Sequence, residues 1–160
     1  SNVIKNFKEV EKVYKQGKEY YDKLQAVNNL VKDARKVQQT VLLVGDVSEM
    51  YVTNFGKMMN DPNFSAQELA AISNGYSALL NESTELLKEL KQIVTSSSLS
   101  LNDKERMDII DRVYKEVKEY HSLVRYYTNK NISVSILRAK KQNNTKRVLD
   151  LYGTPNQKYW

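Results

Sequence analysis

The sequence predicts an all-α fold: an elongated bundle of three long helices plus a short helix, with a basic C-terminal extension. Three observations carry this expectation. Apolar residues recur at alternating steps of three and four along three long stretches, the period of helices packed with a left-handed supercoil. Only 5 Gly and 2 Pro occur in 160 residues, few for any fold rich in turns. Two capping boxes stand where apolar patterns begin. The whole of 1–160 reads as a single helical domain, a length that suits one real hydrophobic core.

The first pattern uses Val3, Phe7, Val10, Tyr14, Gly17, Tyr21 and Leu24. Its phase then slips by one three-residue step to Val27 and resumes at Val31, Ala34, Val37, Val41 and Val44. Such a stammer overwinds a supercoil locally without ending the helix. One long helix is therefore expected over 1–44, stopped at Gly45-Asp46. A short helix over 47–60 follows, with Val47, Met50, Tyr51, Asn54 and Met58 on one side, and Asp61-Pro62 breaks it.

The next start is the strongest local signal. In Phe64-Ser65-Ala66-Gln67-Glu68-Leu69, Ser65 can accept from the amide three residues on, and Glu68 can reach back to the Ser65 amide. Phe64 and Leu69 hold the two positions of a hydrophobic staple. The helix this opens, over 65–94, has a seam of Leu69, Ile72, Tyr76, Leu79, Ser83, Leu86, Leu90 and Ile93, and the polar run Thr95-Ser98 ends it.

Asn102-Asp103-Lys104-Glu105 is a second capping box. It opens a helix over 102–141 through Ile110, Val113, Val117, Tyr120, Val124, Tyr127, Asn131, Val134 and Leu137. Gly17, Ser83 and Asn131 are the small or polar members of the seams, and a polar seam residue fixes register at a cost in stability. Asn131–Ile136 also alternates with period two, as a strand does. A lone strand would have no visible partner, so helix is preferred. The basic and aromatic tail 142–160 includes a last helical piece, Thr145 to Tyr152, stopped by Gly153 and Pro155.

Little in the sequence suggests reaction chemistry. There is no Cys, so no disulfide or thiolate metal site can form. His121 is the only histidine, and the Glu-x-x-His of carboxylate-bridged bundles would need Glu where Lys118 stands. Gly56-Lys57 lacks the leading Gly and the Ser or Thr of a phosphate loop. Glu82, Glu85 and Glu89 read as a solvated face, since one helix supplies too few convergent ligands for a cation. No catalytic residue, metal ligand, cofactor or small-molecule substrate is therefore expected. The longest aliphatic run, Val41-Leu42-Leu43-Val44, is far too short to span a bilayer.

The charge is unevenly placed. From His121 to Trp160 there are eight cations and one acid, a net +7, whereas the first 120 residues sum to −1. Arg138, Lys140, Lys141, Lys146 and Arg147, with the terminal Tyr159 and Trp160, are the candidate partner-binding residues, because cationic surface with aromatics is common at binding sites. The partner could be an acidic protein surface, an anionic membrane or nucleic acid. Nucleic acid is the weaker reading, as no known binding module is recognisable. A heptad seam also allows a homo-oligomer. Tyr14, Tyr21, Tyr76, Tyr120 and Tyr127 fall on seams and read as core, with hydroxyls at the wet edge. Tyr20 and Tyr126 are not explained this way, and Tyr152, Tyr159 and Trp160, lying among basic residues, either form a binding surface or pack with the tail back onto the bundle.

Four stretches carry a family resemblance: Lys32–Gln38, Leu101–Asp108, Tyr126–Ser135, and Arg147–Gly153 through Tyr159-Trp160. Together they resemble the TraI-type conjugative transposon transfer protein of Bacteroidetes, a family classed as a domain of unknown function and loosely likened to the TrbJ-like minor pilus component of type IV secretion systems. The resemblance implies a non-enzymatic helical part of the mating apparatus, in contact with other conjugative transfer proteins. It implies an exported protein of the periplasm or cell envelope, made with a signal peptide. The chain shows no such segment and begins in what reads as helix, the pattern of a mature or trimmed form. No functional residues follow from the family.

Overall fold

The computed structural model describes residues 34–95 and 102–153, together with Lys12. Within these the protein is helical throughout, with no strand: three long helices and one short one. Helix α1 spans Ala34–Met58, α2 Ala66–Thr95, α3 Asp103–Lys141 and α4 Thr145–Tyr152. The three long helices pack against one another, and α4 folds back against α3 and α1. The seam from Val3 to Val31, including Gly17, lies outside the described residues, as do Tyr14, Tyr20, Tyr21, Ser96–Ser98, Tyr159 and Trp160.

The break expected at Gly45-Asp46 is absent. The stretches read as two helices, 1–44 and 47–60, are continuous through that point as α1. The buried line Val37, Val41, Val44, Val47, Tyr51, Phe55 and Met58 crosses it without losing phase. A helix interior tolerates a single Gly at about 1 kcal/mol, and packing along that line offsets the cost. The short helix of the fold is instead α4, at the position foreseen for the last helical piece.

Both capping boxes form. The Glu68 amide donates to Ser65 Oγ and the Ser65 amide to Glu68 Oε1, both at 3.1 Å. Phe64 is buried, with Leu69 packed against the same core. At α3, the Glu105 amide donates to Asn102 Oδ1 at 2.8 Å, and the Asn102 amide donates to the Glu105 carboxylate. The segment 131–136 is helix, inside α3.

The seam of α3 holds as far as Val124, and beyond it Tyr127 and Val134 are only partly buried against the core. After Val124 the buried line runs through Thr128, Ile132, Ser135, Ile136 and Ala139, while Leu137 is 60 % exposed and Asn131 half-buried. An α-helix turns once in 3.6 residues, so a strict 3.5-residue seam drifts around it. Two successive steps of four, Val124 to Thr128 to Ile132, restore the inward face. Asn131 is therefore off the buried line, and its Nδ2 donates to the Tyr127 carbonyl of its own helix at 2.8 Å.

Two apolar clusters form the core. One, built from Val37, Val41, Val44, Leu90, Ile93, Ile110, Val113 and Val117, joins the first half of α1 to the end of α2 and the start of α3. The other holds Tyr51, Phe55, Met58, Tyr76, Leu80, Val124 and Ile132, and takes in Val148 and Tyr152 of α4. Between them lies a more polar waist. Ser48 and Ser83 are buried there, each donating to a carbonyl of its own helix. His121 Nε2 pairs with Asp46 Oδ2 at 2.5 Å.

Candidate functional site: a braced basic knuckle

The C-terminal charges gather around the turn between α3 and α4. Helix α3 ends in a reverse turn with Asn143 in the left-handed region, φ 55°. The Asn144 amide donates to the Ala139 carbonyl at 2.8 Å and the Asn143 amide to Lys140 at 3.3 Å. This is a Schellman motif with Asn in place of the usual Gly. It reverses the chain so that α4 can lay Val148 and Tyr152 into the core.

A buried carboxylate fixes α4 in place. Asp61, 3 % exposed, follows α1. Its Oδ1 accepts from the Asn63 amide at 2.9 Å, a local turn that shapes the link to α2. Its Oδ2 accepts from Ser135 Oγ at 2.5 Å and from Tyr152 Oη at 2.7 Å. One oxygen thereby ties the α1–α2 link to both α3 and α4, and the buried charge is met by three donors, as burial requires. Burial first, and then the neighbouring Asp61 carboxylate, raise the Tyr152 pKa well above its usual value, so the hydroxyl stays protonated and donates.

Arg138 belongs to this brace rather than to a free docking surface. Its guanidinium grips both oxygens of Glu68, at 2.9 and 2.7 Å, and donates to the Asn63 carbonyl at 2.7 Å. Glu68 is also the capping-box residue of α2. The hydrogen bond from Arg138 and then that from the Ser65 amide hold its carboxyl down at about 2. Of the candidate contact residues, Arg138 is thus engaged in a surface ion pair with Glu68, its side chain still 41 % exposed.

Lys140, Lys141, Lys146 and Arg147 remain exposed and make no ion pair among the described residues. Lys140 and Lys141 also complement the partial negative charge at the end of α3. Arg147 stands at the rim of a cleft of about 280 Å³, lined with it by Asn60, Pro62, Asn63, Val148 and Leu151. Asp150, the single acid of α4, lines the same cleft.

Two further buried polar pairs join the helices. Tyr51 and Ser73 share a 2.6 Å hydrogen bond, as do Tyr76 and Thr128. Tyr76 is 1 % exposed, so its hydroxyl is not at a wet edge: it is buried against a partner on α3. Sequence reasoning missed these pairings, and the only signal was a Ser or Thr beside each seam. At the surface Glu85 pairs with Lys88 of its own helix and Glu89 with Arg112 of α3. Among the described residues no group of three or more His, Cys, Asp or Glu could hold a metal ion. No described helix is long and apolar enough to cross a membrane.

No family model, curated protein or solved structure matches the chain.

Proposed function

We propose that the chain is a non-enzymatic structural or interaction component of a conjugative transfer apparatus. It would be an elongated helical bundle at or near a type IV secretion-like pilus or mating channel, in the periplasm or cell envelope. It docks an acidic surface of another transfer protein through Lys140, Lys141, Lys146 and Arg147. The observation that carries the docking is the contrast within one small region. Arg138 is paired with Glu68, Asp61 is satisfied by three donors, and four neighbouring cations are left without a carboxylate partner among the described residues. A rigid mount with unpaired charge suits steering and orienting an oppositely charged protein. The resemblance to the TraI-type family supplies the apparatus.

The test is charge reversal of Lys140, Lys141 and Lys146 to Glu. All three are exposed, so the fold should hold, with the melting temperature lowered only by the small charge–dipole contribution that Lys140 and Lys141 make at the end of α3. DNA transfer in a mating assay should fall, and capture of the partner should weaken with added salt. Wild-type transfer by the triple variant would falsify the docking role. Tight binding of the unaltered protein to duplex DNA at physiological salt would replace the acidic protein with nucleic acid, which the same cations also suit.

A further inference from the structure

Helix α3 carries a second seam on its outer side. Leu123, Tyr126, Lys130, Ser133 and Leu137 follow one another at steps of three, four, three and four. That is the a/d spacing of a helix that takes a helical neighbour. It is distinct from the buried line of the same helix, which runs through Val124, Thr128, Ile132, Ser135 and Ala139. Leu123 is 48 % exposed, Tyr126 62 % and Leu137 60 %. Single exposed apolar residues are ordinary, but three in heptad register along about 21 Å of one helix form a line. Toward the start of α3 the line enters a shallow groove formed by Lys115, Lys118, Glu119, Ser122, Leu123 and Tyr126.

The charges around the line decide what fits it. Lys115, Lys118 and Lys130 are exposed, make no ion pair among the described residues, and outnumber Glu119, the one acid lining the groove. Two of them rest over aromatic rings of their own helix: Lys130 Nζ is 5.8 Å from the Tyr126 centroid, and Lys118 Nζ 5.4 Å from that of Tyr114. A second copy of the chain would bring the same lysines to the same line and be repelled. Duplex DNA offers phosphates to the lysines but nothing to Leu123 and Leu137. A bilayer surface calls for a broad apolar face, and this one is a single residue wide, with Lys130 in the middle. A helix with apolar residues at a and d and carboxylates beside them satisfies the apolar line and the lysines together, and Lys130 at an a position sets its register.

We propose that the outer face of α3 seats an amphipathic helix of an acidic partner protein, with Leu123, Tyr126 and Leu137 as its apolar contacts and Lys115, Lys118 and Lys130 as its ionic ones. This surface is separate from the knuckle and holds whether or not the protein serves DNA transfer.

The experiment uses the full chain and a designed, labelled helical peptide. The peptide has Leu at a and d, Glu at e and g, and one Glu at the a position opposite Lys130. Fluorescence anisotropy should show saturable binding. Leu123→Ser with Tyr126→Ser should weaken it at least about tenfold, the usual loss when central apolar contacts go. Lys130→Glu should weaken it similarly and regain affinity for a peptide carrying Lys at the facing a position. The melting temperatures should stay unchanged, because these side chains are exposed. Absence of saturable binding, or binding indifferent to both variants, would overturn the proposal. So would phosphatidylglycerol vesicle binding, duplex DNA binding or self-association in sedimentation that the Leu123/Tyr126 variant abolishes. Charge reversal at Lys140, Lys141 and Lys146 should leave peptide binding intact, so failure here is distinguishable from failure of the knuckle.

Discussion

Gly45 and Gly75 both sit in helix interiors, and the surroundings give them opposite roles. A Cβ added at Gly45 would meet nothing within 4 Å. The residue therefore only raises the backbone entropy lost on folding, and Gly45→Ala should stabilise the protein by about 0.5–1 kcal/mol in a denaturant titration. A destabilised variant would mean that α1 is bent or broken there after all. At Gly75 an added Cβ would fall 2.5 Å from Tyr127 Cζ. Only the missing side chain lets that ring cross α2 and donate from its hydroxyl to the Ile72 carbonyl at 3.0 Å. Gly75→Ala should cost about 1–3 kcal/mol, the usual loss for overpacking. The cost should shrink in a Tyr127→Leu background, because two residues in contact do not add. Equal costs in both backgrounds would show that the ring is not what Gly75 accommodates. Neither role is visible in sequence, where both residues are simply glycines in an apolar period.

At the scale of elements, legibility tracks how local the cause is. The capping boxes were readable because each is written within four residues and closes on itself. The start of α2 carries a prediction of its own. Ser65→Ala should cost about 0.5–2 kcal/mol, the ordinary loss of an N-cap, and an unchanged melting midpoint would place the helix start elsewhere. Glu68 adds a pH dependence. Its carboxyl is held at about 2, below the ordinary 4.5, by Arg138 first and the Ser65 amide next. A depressed carboxyl contributes stability that is present above its unfolded value and lost as pH falls through the folded one. Between about pH 4.5 and 2 the Glu68→Gln variant should therefore lose less stability than the wild type, read as melting temperature against pH. Parallel curves would remove Arg138–Glu68 from the account. The break at Gly45-Asp46 was misread because turn chemistry was weighed without the partner across the waist: Asp46 faces His121, 75 positions away. The packing of Tyr152 onto the bundle was one of two readings open in the sequence, but its partner was not legible, since Asp61 lies 91 residues earlier. The slip of the α3 seam after Val124 reflects what its neighbours bury, which a single helix's period does not contain.

The whole molecule is unequal along its length. The aliphatic cluster around Val41, Leu90 and Val113 is tied at its surface by the Lys36–Asp111 and Arg112–Glu89 pairs, while the cluster that includes α4 is interlocked by buried tyrosines. Tyr51, Phe55, Tyr76 and Tyr127 form edge-on and tilted ring contacts at 4.7 to 6.3 Å, each worth a fraction of a kcal/mol to about 1.5 beyond burial. Burial is the first cause that raises the pKa of Tyr76, Tyr127 and Tyr152 above the usual 10. The sign of the consequence follows from which state holds the protons. Above pH 10 the unfolded chain releases the three phenolic protons while the folded chain keeps them, so stability is complete below about 10 and falls steadily above it. The protein should therefore unfold on alkaline titration, with tyrosinate absorbance and loss of helical circular dichroism rising together for this buried set. Tyr152→Phe should flatten the alkaline fall, because one shifted group is gone. At neutral pH it should cost about 1–3 kcal/mol, because Asp61 is left buried with one donor fewer. A single ionisation step near the ordinary value for every tyrosine, with helicity intact throughout, would mean that the ring-filled cluster is open to water and that α4 is not held by Asp61.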